Sequence, residues 1–236
     1  TLYTVLDLLN TPQVNISTIE DPIEYQMARV NQTQVRPEIG FTFANGLRSL
    51  MRQDPDVIMV GEIRDEETAS LAINAALTGH LVLATVHTNS ASATVARLID
   101  MGSEAFLLVS TLKVVIGQRL VRVIGDSKEQ YFLTDDERIK LEKHINFERV
   151  LEALKKEKFV NEDMTIRTLP FFRPKNASET DEGYKGRIGI HEVLPVSMAV
   201  KELIMKGGTA DQIEAQAKSE GMLTMLEDGI VKAARG

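Results

Sequence analysis

Three short apolar runs constrain this chain more than any other feature, because each is followed at once by acids or a histidine. Residues 14–19 lead into Glu20-Asp21-Pro22, Val57-Ile58-Met59-Val60-Gly61 into Glu62, and residues 80–86 into His87. Runs this short and this rich in apolar residues read as strands buried on both faces, as in a parallel sheet covered by helices. The segments between them carry helix signals. Thr42 is placed to cap a helix through Arg52 with Phe43, Leu47, Leu50 and Met51 on one face, and Asp54-Pro55 breaks it. Asp65, with Thr68 three residues on, fits a second helix start, which Thr78-Gly79 ends. Further helices are expected over 90–101 and 104–118. The expected fold class is therefore α/β in three layers.

Composition narrows the function. Against 27 Lys and Arg stand 34 Asp and Glu, a net charge of −7, so the overall field repels phosphate polymers and no nucleic-acid partner is expected. With no cysteine among the 236 residues, disulfides and thiolate-bound metal are excluded, and zinc is expected to be absent. The most apolar stretch, 105–116, is too short for a bilayer span and contains Lys113. No secretory leader pattern is present, which makes a cytoplasmic address the expectation. Because the chain opens on Thr1 directly into a helical pattern over 1–9, it is expected to be cut from something longer.

Charge density changes at Gly125. Of the 58 residues from 125 to 182, 25 are Asp, Glu, Lys or Arg, against 26% overall, so this segment reads as an insertion. Helical spacing over 135–144 and 147–158 suggests a solvated helical pair, and 170–182 reads as a loop. Strand-like alternation resumes over 183–194, and three short helical patterns follow. The expected organisation is a core over 1–124, the charged insertion over 125–182, and a returning strand with a small helical region over 183–236.

The acids and histidines fall where open α/β sheets bind ligands, outside the C-terminal ends of strands. Glu20, Asp21 and Glu24 follow the first strand, Glu62 and Asp65 the second, and His87 the third. A carboxylate there can hold Mg²⁺ directly or through water, and a second can orient the water that attacks a γ-phosphate. Each acid alone also reads as a helix cap or loop ion pair. Phosphate binding further needs a Gly-rich loop with a lysine, and none occurs here; the run from Gly183 to Gly189 lacks that spacing.

The runs Thr18-Ile19-Glu20-Asp21-Pro22-Ile23-Glu24-Tyr25, Gly46 to Asp65, Thr78-Gly79-His80 and Thr85-Val86-His87-Thr88-Asn89 together resemble the secretion ATPase superfamily, most closely the type II secretion and type IV pilus assembly ATPases. They look like that family's Asp box, Walker B and His box; Gly117-Gln118-Arg119-Leu120 and residues 183–194 extend the likeness. The resemblance implies a RecA-like P-loop NTPase core, truncated at its N-terminus just after Walker A, using ATP and Mg²⁺. Gly61 matches the family's atypical Walker B glycine. By the same carry-over, Glu62 would position or activate water, and Glu20, with Asp21 and Glu24, would support Mg²⁺ and that water. Glu20 and Glu62 would be the metal-associated acids. His87 would contact the γ-phosphate, with His80 open between that role and a core or cap role. Arg48, Arg52 and Arg64 are candidate internal arginines or structural residues, and Arg187 and Glu192 match a family run or form an ion pair.

In place of the tetracysteine zinc module of many assembly members stands the charged insertion. The implied function is a motor powering pilin or pseudopilin assembly, inactive as this piece alone. Implied partners are identical subunits in a homo-hexamer and an inner-membrane platform protein, with the motor held peripherally at the inner membrane. The alternatives are a retraction or conjugation ATPase of the same superfamily and a non-catalytic assembly subunit.

Overall fold

The apolar runs do form strands, and polar caps set the helix starts between them. In the computed structural model, which describes residues 1–175 and 183–236, the first half contains α1 (Leu2–Leu9), β1 (Ile16–Glu20), β2 (Val30–Gln34), α2 (Phe43–Leu50), β3 (Val57–Val60), α3 (Glu66–Leu77), β4 (Leu81–Ala84), α4 (Ala91–Asp100) and α5 (Ala105–Thr111). There follow β5 (Val114–Ile124), β6 (Lys128–Tyr131), α6 (Asp135–Glu142), α7 (Phe147–Lys156), β7 (Phe171–Pro174), β8 (Tyr184–Pro195), α8 (Met198–Met205), α9 (Ala210–Ser219) and α10 (Met225–Arg235). Two compact units result, one of Thr1–Lys113 and Val196–Ile213, the other of Val114–Pro195 and Glu214–Gly236.

The first unit holds a four-stranded, wholly parallel sheet in the order β2-β1-β3-β4. Every residue of the two central strands, β1 and β3, is buried. Alternation sorts their side chains: Ile16, Val57 and Met59 pack with Leu2, Leu6 and Leu9 of α1, while Ile19, Ile58 and Val60 pack with Leu47 and Leu50 of α2 and Ala69, Ala72 and Ile73 of α3. Helices thus cover both faces, the α/β architecture expected from the pattern. Thr42 caps α2 through the Asn45 N–H at 3.3 Å, and Asp65 caps α3 through the Thr68 N–H at 2.8 Å. After α2, Asp54 takes a left-handed φ of 51° before Pro55, so the chain turns into β3.

In the first unit one strand escaped the sequence reading. The Val-Asn-Gln-Thr-Gln of β2 contains no apolar run, because an edge strand half open to solvent does not require one; its parallel register with β1, Ile16↔Val30, supplies the order instead. A second difference lies at residues 104–118, expected as one helix. Only Ala105–Thr111 is helical, and the β-branched Val114-Val115-Ile116 opens β5 by pairing with Pro195, Leu194 and Val193 of β8. Cross-strand partners 77 or more residues away overrode a local apolar spacing that either structure satisfies.

The second unit is built on the antiparallel β5–β8 pair and the antiparallel β6–β7 pair. Residues 170–182 were expected as loop, but Phe171–Pro174 form β7 against β6; residues 176–182 lie outside those described. Both expected helices of the charged segment are present as α6 and α7. Thr134 and Glu137 cap α6 reciprocally, and α6 buries no residue. The other is not a solvated helix: Val150 and Leu154 of α7 form a core with Leu169, Phe171 and Val231 of α10. Gly117 in β5 faces Glu192 in β8, and a Cβ there would lie 2.8 Å from the Glu192 Cγ, so glycine admits a buried acid. Among the described residues no helix is long and apolar enough to cross a membrane.

Candidate active site

Because the sheet of the first unit is wholly parallel, the C-terminal ends of β1, β3 and β4 open on one edge, and Glu20, Glu62 and His87 follow from those ends. Gly61 makes the edge close. Its N–H donates to the Ile19 carbonyl at 2.7 Å, and a Cβ at position 61 would sit 3.2 Å from both the Glu20 Cα and the Ile19 oxygen. An aspartate at this position would therefore push β1 and β3 apart, which gives the glycine a steric reason.

Glu62, next in the chain, is 8% exposed. Its Oε2 lies 3.2 Å from His87 Nε2, and Arg64 pairs with its other oxygen. A carboxylate only accepts, so the imidazole N–H donates in this contact. Two bonds hold the loops that carry these groups together: the Ile63 N–H donates to the Thr85 carbonyl at 2.9 Å, and the Thr85 hydroxyl donates to the Gly61 carbonyl at 2.5 Å. The hydrogen bond to Glu62 and then its charge, with a contribution from Asp21, raise the Arg64 guanidinium above its ordinary value. Arg64 and His87 are largely exposed, so both can reorient while Glu62 stays put.

Glu20 is 3% exposed, and both of its oxygens accept hydrogen bonds within the protein. Its Oε1 accepts from the Thr18 hydroxyl at 2.5 Å and from Gln32 Nε2 at 3.3 Å, while the Tyr3 hydroxyl donates to Oε2. Burial first, and then the bond to Glu20, push the Tyr3 phenol up to about 12. Asp21 and Glu24 sit exposed in the loop after β1, and the Glu24 N–H donates to the Tyr3 oxygen at 3.2 Å.

The structure thus brings Glu20, Gly61, Glu62 and His87 to one edge, with Asp21 and Arg64 beside them. His80 is not part of that group. It precedes β4 at the N-terminal edge of the sheet, where its Nδ1 lies 2.9 Å from the Ala75 carbonyl and 3.1 Å from the Thr78 hydroxyl, at the end of α3. Arg48 bridges α2 to Glu67 of α3, a surface contact. In β8, Arg187 stands opposite Arg122 and Glu192 opposite Gly117; five residues apart in one strand, Arg187 and Glu192 point to opposite faces. Unassigned by the sequence reading were Tyr3, Thr18, Gln32 and Thr85, which hold the acids and their loops. No local spacing announces them, since Tyr3 reaches an acid 17 positions on.

Among the described residues no three His, Asp or Glu side chains gather as a metal cage. With both Glu20 oxygens engaged within the protein, the acid set fits Mg²⁺ held through water better than a direct ligand at Glu20.

The family model described as type II/IV secretion system protein matches residues 1–236. Type II secretion system protein E of Xanthomonas campestris pv. campestris is 43% identical over 242 residues, taking in 100% of this chain and 39% of that protein. Type IV pilus assembly ATPase PilB of Pseudomonas aeruginosa is 42% identical over 237 residues, with 100% of this chain and 38% of that protein covered. The crystal structure of the pilus retraction motor PilT with bound ADP superposes with a TM-score of 0.57 at 28% identity, covering 98% of this chain and 56% of that one. This chain therefore spans about two fifths of the length of these curated relatives. Parallel sheet, strand-end acids and a match along all 236 residues agree that the chain belongs to the type II/IV secretion system protein family.

Proposed function

We propose that this chain carries the water-activating half of an ATP-hydrolysing motor that drives pilin or pseudopilin assembly in a type IV pilus or type II secretion system. The observation that carries the reading is the Glu62–His87 contact at the C-terminal edge of the sheet, 3.2 Å long and tied to Glu20 by the close approach at Gly61. Glu62 orients and activates the attacking water, a task that suits a nearly buried carboxylate with a directed partner on each oxygen. His87 and Arg64, exposed and mobile at their tips, exchange Glu62 for the γ-phosphate when nucleotide is present. Glu20, with Asp21 and Glu24 around it, orders the water shell of Mg²⁺; the metal itself supplies positive charge against the developing charge on the phosphoryl oxygens. The 236 residues contain no Gly-rich lysine loop, so the phosphate cradle comes from outside them.

The identities of 42–43% to an assembly and a secretion protein, against 28% to the retraction motor, favour the assembly direction. Identical subunits and an inner-membrane platform protein are the partners of this reading, and the motor works at the cytoplasmic side of that membrane. In this reading the charged insertion takes the place of a zinc module, and Val150, Leu154, Leu169 and Phe171 form an apolar core with Val231.

The test is phosphate release with Mg²⁺ and ATP by the 236-residue chain beside a version extended upstream through a phosphate loop. Activity in the extended protein alone is expected. Silence in both, in preparations that oligomerise, supports instead a non-catalytic assembly subunit.

A further inference from the structure

Resting on that reading, we propose that Tyr3 is a positioning residue for Glu20, its hydroxyl fixing the orientation of the carboxylate that orders metal-bound water. Anchoring of α1 does not require this hydroxyl. Leu6 is fully buried and, with Leu2 and Leu9, seats the helix on Ile16, Val57 and Met59. Nor does the ring contact require it: Tyr3 packs on Tyr25 with centroids 4.5 Å apart, which a phenylalanine would reproduce. What needs a reason is the oxygen. It donates to Glu20 Oε2 and accepts from the Glu24 N–H, so one atom joins α1, the end of β1 and the loop bearing Asp21 and Glu24.

Glu20 has no slack elsewhere. Thr18 and Gln32 both hold Oε1, and among the described hydrogen bonds Tyr3 alone holds Oε2. The two oxygens turn together about the terminal torsion, which is soft and broad, so a second bond at Oε2 narrows the range that the bonds at Oε1 leave open. The phenol supplies that second bond from α1, so a displacement of α1 is passed directly to the acid.

Tyr3→Phe in the full-length protein tests this. A fall in kcat of roughly tenfold or more is expected, with KM for ATP within about twofold, because the lost bond aligns a reacting shell rather than binding substrate. In a Glu20→Gln background the same substitution should cost nothing further, since the two residues act as one unit.

Tyr3→Phe at wild-type kcat, or losses that multiply independently with Glu20→Gln, would each overturn the assignment. Glu62→Gln run in parallel separates the two levels. If wild type hydrolyses ATP and Glu62→Gln does not, a silent Tyr3→Phe defeats only the Tyr3 inference. Absence of wild-type turnover, or full turnover in Glu62→Gln, defeats the motor reading beneath it.

Discussion

His87 Nε2 lies 3.2 Å from Glu62 Oε2 across 25 residues of sequence, a contact made by two neighbouring parallel strands ending at the same level. Arg64 takes the other Glu62 oxygen, so the carboxylate is directed from both sides. In Glu62→Gln one acceptor oxygen is kept while the base is lost. Nucleotide affinity should stay near wild type and turnover should fall by about 10²–10⁴-fold in the full-length protein, measured by phosphate release beside equilibrium nucleotide binding.

Gly61→Ala tests the close approach of β1 and β3. The added methyl meets the Glu20 Cα and the Ile19 oxygen at 3.2 Å, and neither backbone can yield without disturbing the sheet. The expected cost is about 1–3 kcal/mol in chemical denaturation, together with loss of turnover because Glu20 and Glu62 move apart.

Tyr3 links the site to pH. Its folded-state pKa of about 12 exceeds the ordinary tyrosine value of 10.0, so the folded state holds the phenolic proton more tightly than the unfolded state does. The resulting stability is fully present below pH 10 and is lost as pH rises from there through about 12. Denaturant midpoints measured across that window should fall less steeply in Tyr3→Phe than in the parent.

In the second unit Glu227 is buried and accepts from the N–H groups of Thr224 at 2.9 Å and Asn146 at 3.2 Å, with Arg149 at 3.7 Å. Truncation leaves both N–H groups without that acceptor and Arg149 without its ion-pair partner. Glu227→Ala should cost about 2–4 kcal/mol of unfolding free energy, more than Glu227→Gln, which keeps an acceptor oxygen.

A zinc-selective chelator should leave the thermal unfolding midpoint unchanged. The chain has no cysteine, and Val150, Leu154, Leu169, Phe171 and Val231 supply an apolar core around α7. A drop in the midpoint that zinc restores would show that other side chains hold a structural ion.

Much of the architecture was legible because a strand buried on both faces is rich in apolar residues and helix starts need side-chain acceptors. Residues 57–61, Thr42 and Asp65 show this directly. The strand-end acids and the family followed from residues adjacent in sequence. Only the tertiary structure decided the rest. Parallel register set Glu62 beside His87 and sent His80 to the opposite edge, although both histidines flank one strand. Pairing with β8 made a strand of residues that helical spacing fitted equally well, and the polar β2 exists because β1 offers it a ladder. Periodicity reports which face of an element is buried, and therefore what each segment becomes. Hydrogen bonds such as Tyr3 to Glu20 depend instead on where two elements meet in space, and that is set by the packing of the whole sheet.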